Sequence, residues 1–366
     1  MRLRFILPVC IVLLFAACLP LALGGPRNVL VVRNGNSPVS CRVADYYVTR
    51  RSISPDYLVT ITTPDSSLST ANELISPDDY LAKIEKPIRD FLKGRRLTDK
   101  IQYIVLTKGI PHRLASDPFG GVWGGQSVDS MLAAMDLVKP MRIQIPAGEG
   151  KIGGYPIINR YWRSTEPFSH AKYGGYLLTR LDGYTEGDAK ALVDRAMAAP
   201  PTRALILLDA ANASSPEAIA RQPRSILGPD GLPDRTYDMP YGDFNAELSR
   251  AAEVIKGRSN VEVRLDQATE FVASEEPLSG YISWGSNDSH YDVKNYHALK
   301  FGPRSIVEMA VSTSGRTFLT TTGGQSLVAD LIAQGAAGAK GYVTEPTLHS
   351  MASPTVLMEL YTSGRN

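Results

Sequence analysis

Cysteine, histidine and tryptophan are scarce in this chain, and their scarcity excludes much chemistry. Two of its three cysteines, Cys10 and Cys18, fall within the first two dozen residues. If that segment is removed, Cys41 alone remains and no internal disulfide can form. Cys41 sits in Pro38-Val39-Ser40-Cys41-Arg42-Val43-Ala44, at the start of an expected helix whose small residues pack against a sheet. A Cys/His nucleophilic pair would have to join it to His112, His170, His290, His297 or His349, and no local signature supports that. Gly-x-Ser-x-Gly is absent, since Trp284-Gly285-Ser286-Asn287-Asp288 has glycine on one side only. There is no P-loop and no Gly-x-Gly-x-x-Gly after the first strand, so no nucleotide cofactor is expected. The formal net charge is +2 and no Lys/Arg run occurs, which gives no basis for binding nucleic acid. Internal repeats and low-complexity tracts are also missing.

What is present begins with a basic Met1-Arg2-Leu3-Arg4, an apolar run over residues 5–23 and the small-residue exit Ala22-Leu23-Gly24. This predicts a signal peptide over residues 1–24 and an exported, periplasmic or extracellular protein. The alternatives are an uncleaved anchor, because the run is nearly long enough to span, and a lipid on Cys18 in the imperfect box Phe15-Ala16-Ala17-Cys18.

After it, β-branched runs alternate with helical patterns. Strands are predicted at residues 28–32, 57–62 and 101–106, with helices at 40–51 and 76–94 between them. The pattern resumes with strands at 204–208, 261–263, 280–283 and 341–343, and helices at 243–256, 326–334 and 355–361. This alternation predicts an α/β fold with a doubly wound, mainly parallel sheet, and residues 25–366 as one domain. Residues 115–176 are rich in Gly, Pro, Trp and Tyr and read as an insertion, with a helix at 127–137. Residues 216–240 read as a loop.

In open parallel sheets, ligands bind beyond the carboxyl ends of the strands. The predicted strand exits carry Asn34, Lys108, Asp209, Ser286-Asn287-Asp288 and Glu345, which would share one rim. Polar loops also arise from ordinary turn chemistry. The candidate catalytic set is Lys108, Asp129, Asp182, Asp209, Asp288 and Glu345, where a carboxylate among basic groups could serve as a general base. Candidate binding residues are Asn34, Ser37, Ser40, Arg180, Trp284, Ser286 and Asn287. No organic cofactor is expected. A divalent metal has one dense candidate, Asp288, His290 and Asp292, a pattern more often found in solvated turns.

Several motifs together resemble an uncharacterised family of exported bacterial proteins. They are Val32-Arg33-Asn34-Gly35-Asn36-Ser37-Pro38-Val39-Ser40, Thr107-Lys108-Gly109-Ile110-Pro111, Ser127-Val128-Asp129-Ser130, Thr179-Arg180-Leu181-Asp182-Gly183, Ser283-Trp284-Gly285-Ser286-Asn287-Asp288 and Gly341-Tyr342-Val343-Thr344-Glu345-Pro346. The resemblance spans nearly the whole chain after residue 24 and brings no assigned activity. It implies a further C-terminal helix and a Gly-Asp-Pro-Leu stretch beyond this sequence. The last third is also distantly similar to the caspase/gingipain fold, where one strand ends in His-Gly and the next in Cys. The matching positions, Trp284-Gly285-Ser286 and Thr320-Thr321-Thr322, hold neither. Two functions follow as expectations: a hydrolase-like pocket at the strand exits, or a non-catalytic cell-envelope protein. The second would bind a polymer or a protein through aromatic segments such as residues 155–162 and Trp284.

Overall fold

The computed structural model describes residues 27–140, 142, 144–157, 159–161, 164, 166–210, 244–346, 348 and 351–364. The expected signal peptide with Cys10 and Cys18, the 216–240 loop, Trp162 and His349 lie outside the described residues.

The α/β class and the parallel, doubly wound strand order are present, in two main sheets rather than one, with two two-stranded pairs beside them among the described residues, Leu74–Ile75 with Arg113–Leu114 and Ile145–Gly148 with Lys151–Gly154. In chain order the first half runs β1 (Val29–Asn34), α1 (Pro38–Arg50), β2 (Leu58–Ile61), β3 (Leu74–Ile75), α2 (Pro77–Tyr80), α3 (Lys86–Gly94), β4 (Tyr103–Thr107), β5 (Arg113–Leu114), α4 (Val128–Ala133), β6 (Ile145–Gly148), β7 (Lys151–Gly154), α5 (His170–Tyr173), β8 (Leu177–Leu181) and α6 (Glu186–Met197). The second runs β9 (Ala204–Asp209), α7 (Phe244–Ile255), β10 (Val261–Asp266), β11 (Leu278–Ser283), α8 (Val293–Ala298), β12 (Phe301–Met309), α9 (Val328–Ala333), β13 (Gly338–Lys340) and α10 (Pro354–Thr362).

The first sheet has the order β2-β1-β4-β8 and the second β10-β9-β11-β12-β13, and every pairing in both is parallel. In each, the second strand of the set lies outside the first and the third lies on its other side. The winding therefore reverses between β1 and β4, and again between β9 and β11. Such reversals leave a crevice at the carboxyl edge.

The alternation within β1 explains its two covered faces. Leu30 and Val32 join Ile84, Ile88 and Leu92 on one side, and Val29 and Val31 join Val43, Ala44 and Leu192 on the other. Continuous apolar runs of this kind are what a sheet buried on both faces requires. In β9, Leu205 and Leu207 pack with Tyr281, Tyr296 and Leu331, whereas Ile206 and Leu208 pack with Leu248, Ile255 and Met358. Ile332 of α9 shares a core with the β1, α1 and α6 residues, so one apolar cluster joins the two halves.

Residues 115–176 form the connection from β4 to β8. They contain α4, the antiparallel β6–β7 hairpin and α5. Their glycines permit close backbone contact. A Cβ on Gly125 would lie 1.9 Å from the Leu114 carbonyl oxygen, and one on Gly153 would lie 2.5–2.6 Å from three ring carbons of Trp123.

Candidate functional site

Of the polar residues expected on one rim, all but Glu345 divide between the carboxyl edges of the two main sheets. At the first edge they form a closed network. Asn34 ends β1, fully buried. Its amide nitrogen donates to the carbonyls of Thr63, Pro64 and Gly109, and its oxygen accepts from the Asn36 and Thr63 amides. Ser37 caps α1 by accepting from the Ser40 amide, and the Ser40 hydroxyl bonds Thr107 at 2.6 Å. These three binding candidates are each bonded to the protein at the β1/β4 edge.

Lys108, just past β4, is 4 % exposed. Its ammonium donates to Asp182 Oδ1 at 3.1 Å, the Gly183 carbonyl at 2.6 Å and the Phe318 carbonyl at 3.4 Å. Three acceptors match the three protons of an ammonium. Arg180 donates to Asp129 and to the carbonyls of Ile110 and Pro111, and its guanidinium lies 3.6 Å from Asp182 Oδ2. Lys108, Asp129, Asp182 and Arg180 are thus brought together, but as a bonded lock between loops.

The lock reaches the second sheet. Glu73, which sequence reasoning missed, accepts from the Thr317 hydroxyl at 2.8 Å and the Phe318 amide at 2.9 Å. Burial raises its carboxyl above the ordinary range, and these two bonds oppose the rise. His112 bonds the Arg316 carbonyl at 3.1 Å. Burial, followed by the Arg180 charge, pushes its imidazole down to about 3. Neither residue carried a signal, because the loop after β12 that they meet is more than 200 positions away in sequence.

At the second edge, Asp209 ends β9 and is 3 % exposed, with Oδ2 buried and without a hydrogen-bond partner among the described residues. Burial, then the Asp288 charge and then Asp266, push its carboxyl up to about 7. Asp288 follows β11 and accepts from the His290 amide at 2.7 Å. Asp292 caps α8 by accepting from the Asn295 amide. Two of the three metal candidates therefore serve backbone turns, and among the described residues no three His, Cys, Asp or Glu side chains converge as a metal shell. Trp284 donates to Asn245 at 2.7 Å and packs edge-on to Phe244. The Ser286 hydroxyl accepts from the Ser326 amide, and Asn287 bonds the Ala310 carbonyl and Gln325. Cys41 Sγ lies 3.7 Å from the Asn34 carbonyl, with no imidazole bonded to it among the described residues.

Glu345 occupies a third place. The last strand is Gly338–Lys340, three residues earlier than expected, so Glu345 lies out in the following loop. There it accepts from the Ser312 hydroxyl at 2.5 Å. It also lines an open cleft of about 540 Å³ between the β4–β8 connection and residues 340–346. Trp123 and Tyr155 supply aromatic wall, Gln126, Ser127 and Thr344 supply amide and hydroxyl groups, and Arg142 supplies a cation. Backbone bonds from Val122 and Trp123 to Ile152 and Gly153 seat the Trp123 segment on β7. The Thr344 hydroxyl donates to the Trp123 carbonyl at 2.5 Å and ties the two walls together.

The expected caspase-like register differs at one of its two positions. Trp284-Gly285 does follow β11, but β12 ends at Met309, so Thr320–Thr322 lie well inside the following loop and not at a strand exit. The chain matches no family model, no curated protein and no solved structure.

Proposed function

We propose that this chain is a non-catalytic binding protein of the cell envelope that holds a segment of polysaccharide in the cleft beside Trp123. One observation carries the reading: an indole laid flat on Gly153, in an open cleft edged by hydroxyl and amide groups. A sugar ring has an apolar C–H face and a polar rim. An aromatic face supplies area at low entropic cost, and fixed polar groups around it supply orientation. The Lys108 lock and the Asn34 bonds support the same reading, because they engage the polar side chains of the first edge with the protein itself. The expected export signal would deliver the protein to such polymers.

The test is affinity electrophoresis in gels carrying neutral or acidic polysaccharides. At least one should retard the protein, and Trp123→Ala should restore free migration while Trp284→Phe should not. Free migration in every gel, or retardation unchanged by Trp123→Ala, would refute the proposal.

One observation favours a second reading, acid–base chemistry of a hydrolase. Asp209 keeps its proton up to about 7 at the β9/β11 crevice, which suits a general acid near neutral pH. Hydrolysis of a glycoside or ester panel that is lost in Asp209→Asn, with folding retained, would favour it.

A further inference from the structure

We infer that the occupant of this cleft is an acidic chain and that Arg142 reads its anionic groups. The inference rests on the polysaccharide reading above and names the class of sugar.

Arg142 is fixed before any ligand arrives. Its backbone bridges Ile157, its guanidinium lies 3.4 Å from the Phe119 ring centroid, and Nη1 donates to the Tyr155 carbonyl at 3.0 Å. A stacked, pinned guanidinium loses little freedom when it binds, and its planar fork matches a carboxylate or a sulfate. It forms no ion pair with any described carboxylate, although Asp117 acts on it through space.

The other charged groups of the cleft are engaged with the protein. Asp117 accepts from the Phe119 amide through one oxygen and from Gln126 through the other. Glu345 accepts from Ser312, and Lys340 lies 3.4 Å from Glu308. The acids are thus turned towards protein donors, while among the described residues the Arg142 side chain donates only to the Tyr155 carbonyl. Burial lowers the guanidinium from its ordinary value, in keeping with a cation that gains when an anion arrives. The shared chemistry is an anionic group on a sugar chain, from either a uronic acid or a sulfate ester.

The experiment is calorimetric titration of the full chain with three oligosaccharides of equal length: a neutral glucan, an oligouronate and a sulfated glucan. At low salt, at least one acidic oligomer should bind ten times or more tighter than the neutral one. That advantage should shrink as salt is added. Arg142→Gln should bring acidic and neutral affinities together, Arg142→Lys should keep part of the preference, and Trp123→Ala should weaken both. If Arg142→Gln fails to fold, Phe119→Leu, which removes only the stack, should reduce the acidic preference instead. Equal affinity for neutral and acidic oligomers overturns the role of Arg142 and leaves the polysaccharide reading standing. Binding of none of the three overturns that reading itself. Preference for oligouronate over sulfated glucan, or the reverse, identifies the source of the charge.

Discussion

Replacing Asp209 by asparagine should stabilise this protein at alkaline pH and do little in acid. The carboxyl is 3 % exposed, one of its oxygens is buried without a partner among the described residues, and Asp288 and Asp266 both act on it. Its affinity for a proton therefore rises from an ordinary 3.8 to about 7. The folded protein then holds a proton that the unfolded chain releases, so stability falls as pH climbs from about 4 to about 7. At roughly 1.4 kcal/mol for each tenfold change in proton affinity, the loss above that window is at most about 4 kcal/mol. The substituted amide cannot ionise, but it must find its own acceptor, which takes back about 1–2 kcal/mol. Urea denaturation at pH 4.5 and pH 8 should show the variant near or slightly below the parent in acid. In base it should be more stable by about 2–3 kcal/mol. Asp288→Asn, which removes the next cause after burial, should move the transition of the parent protein to lower pH. Parallel stability curves for parent and Asp209→Asn across the whole range would show that this carboxyl is not protonated by its surroundings, and the argument would fail.

Asn34→Ala should cost about 3 kcal/mol or more in urea denaturation, because it leaves several buried donors and acceptors unpaired at once. Lys108→Ala should cost about 3–5 kcal/mol by the same assay, the penalty of stranding a buried charge, and a well-folded Lys108→Ala would mean the network is not structural. Gly153→Ala places a methyl group against the Trp123 ring. It should shift tryptophan fluorescence and weaken polysaccharide retention, at about 1–3 kcal/mol of stability. Glu73→Gln should loosen the seam between the halves, read as faster amide exchange in residues 312–325.

Much of the fold was legible because parallel strands announce themselves as apolar, β-branched runs. β1, β2, β4 and β9 follow that rule. β12 was hidden by Gly302-Pro303-Arg304 at its start, where Arg304 takes a positive φ of 59°. β8 was hidden by Thr179 and Arg180 within a five-residue strand, and without these two strands the division into two sheets could not be seen. The site was less legible. Lys108, Asp129 and Asp182 stood in one candidate set with Asp209, Asp288 and Glu345, and Arg180 stood in another, because residue type does not distinguish a bonded lock from an open pocket. That depends on burial and on which carbonyls lie within reach. Trp123 and Arg142 of the cleft fell within a stretch whose glycines and aromatics read only as irregular texture. Its cause, backbone pressed against an indole ring, is a contact between positions about thirty apart in sequence.

Hydrogen–deuterium exchange with and without an acidic polysaccharide oligomer tests most directly where a ligand sits. Protection should concentrate in residues 117–131, 144–157 and 340–346, the two walls of the cleft, and leave 283–290 unchanged. Protection confined to 283–290 and the end of β9, with the Trp123 segment unaffected, would place the ligand at the Asp209 crevice and contradict the account.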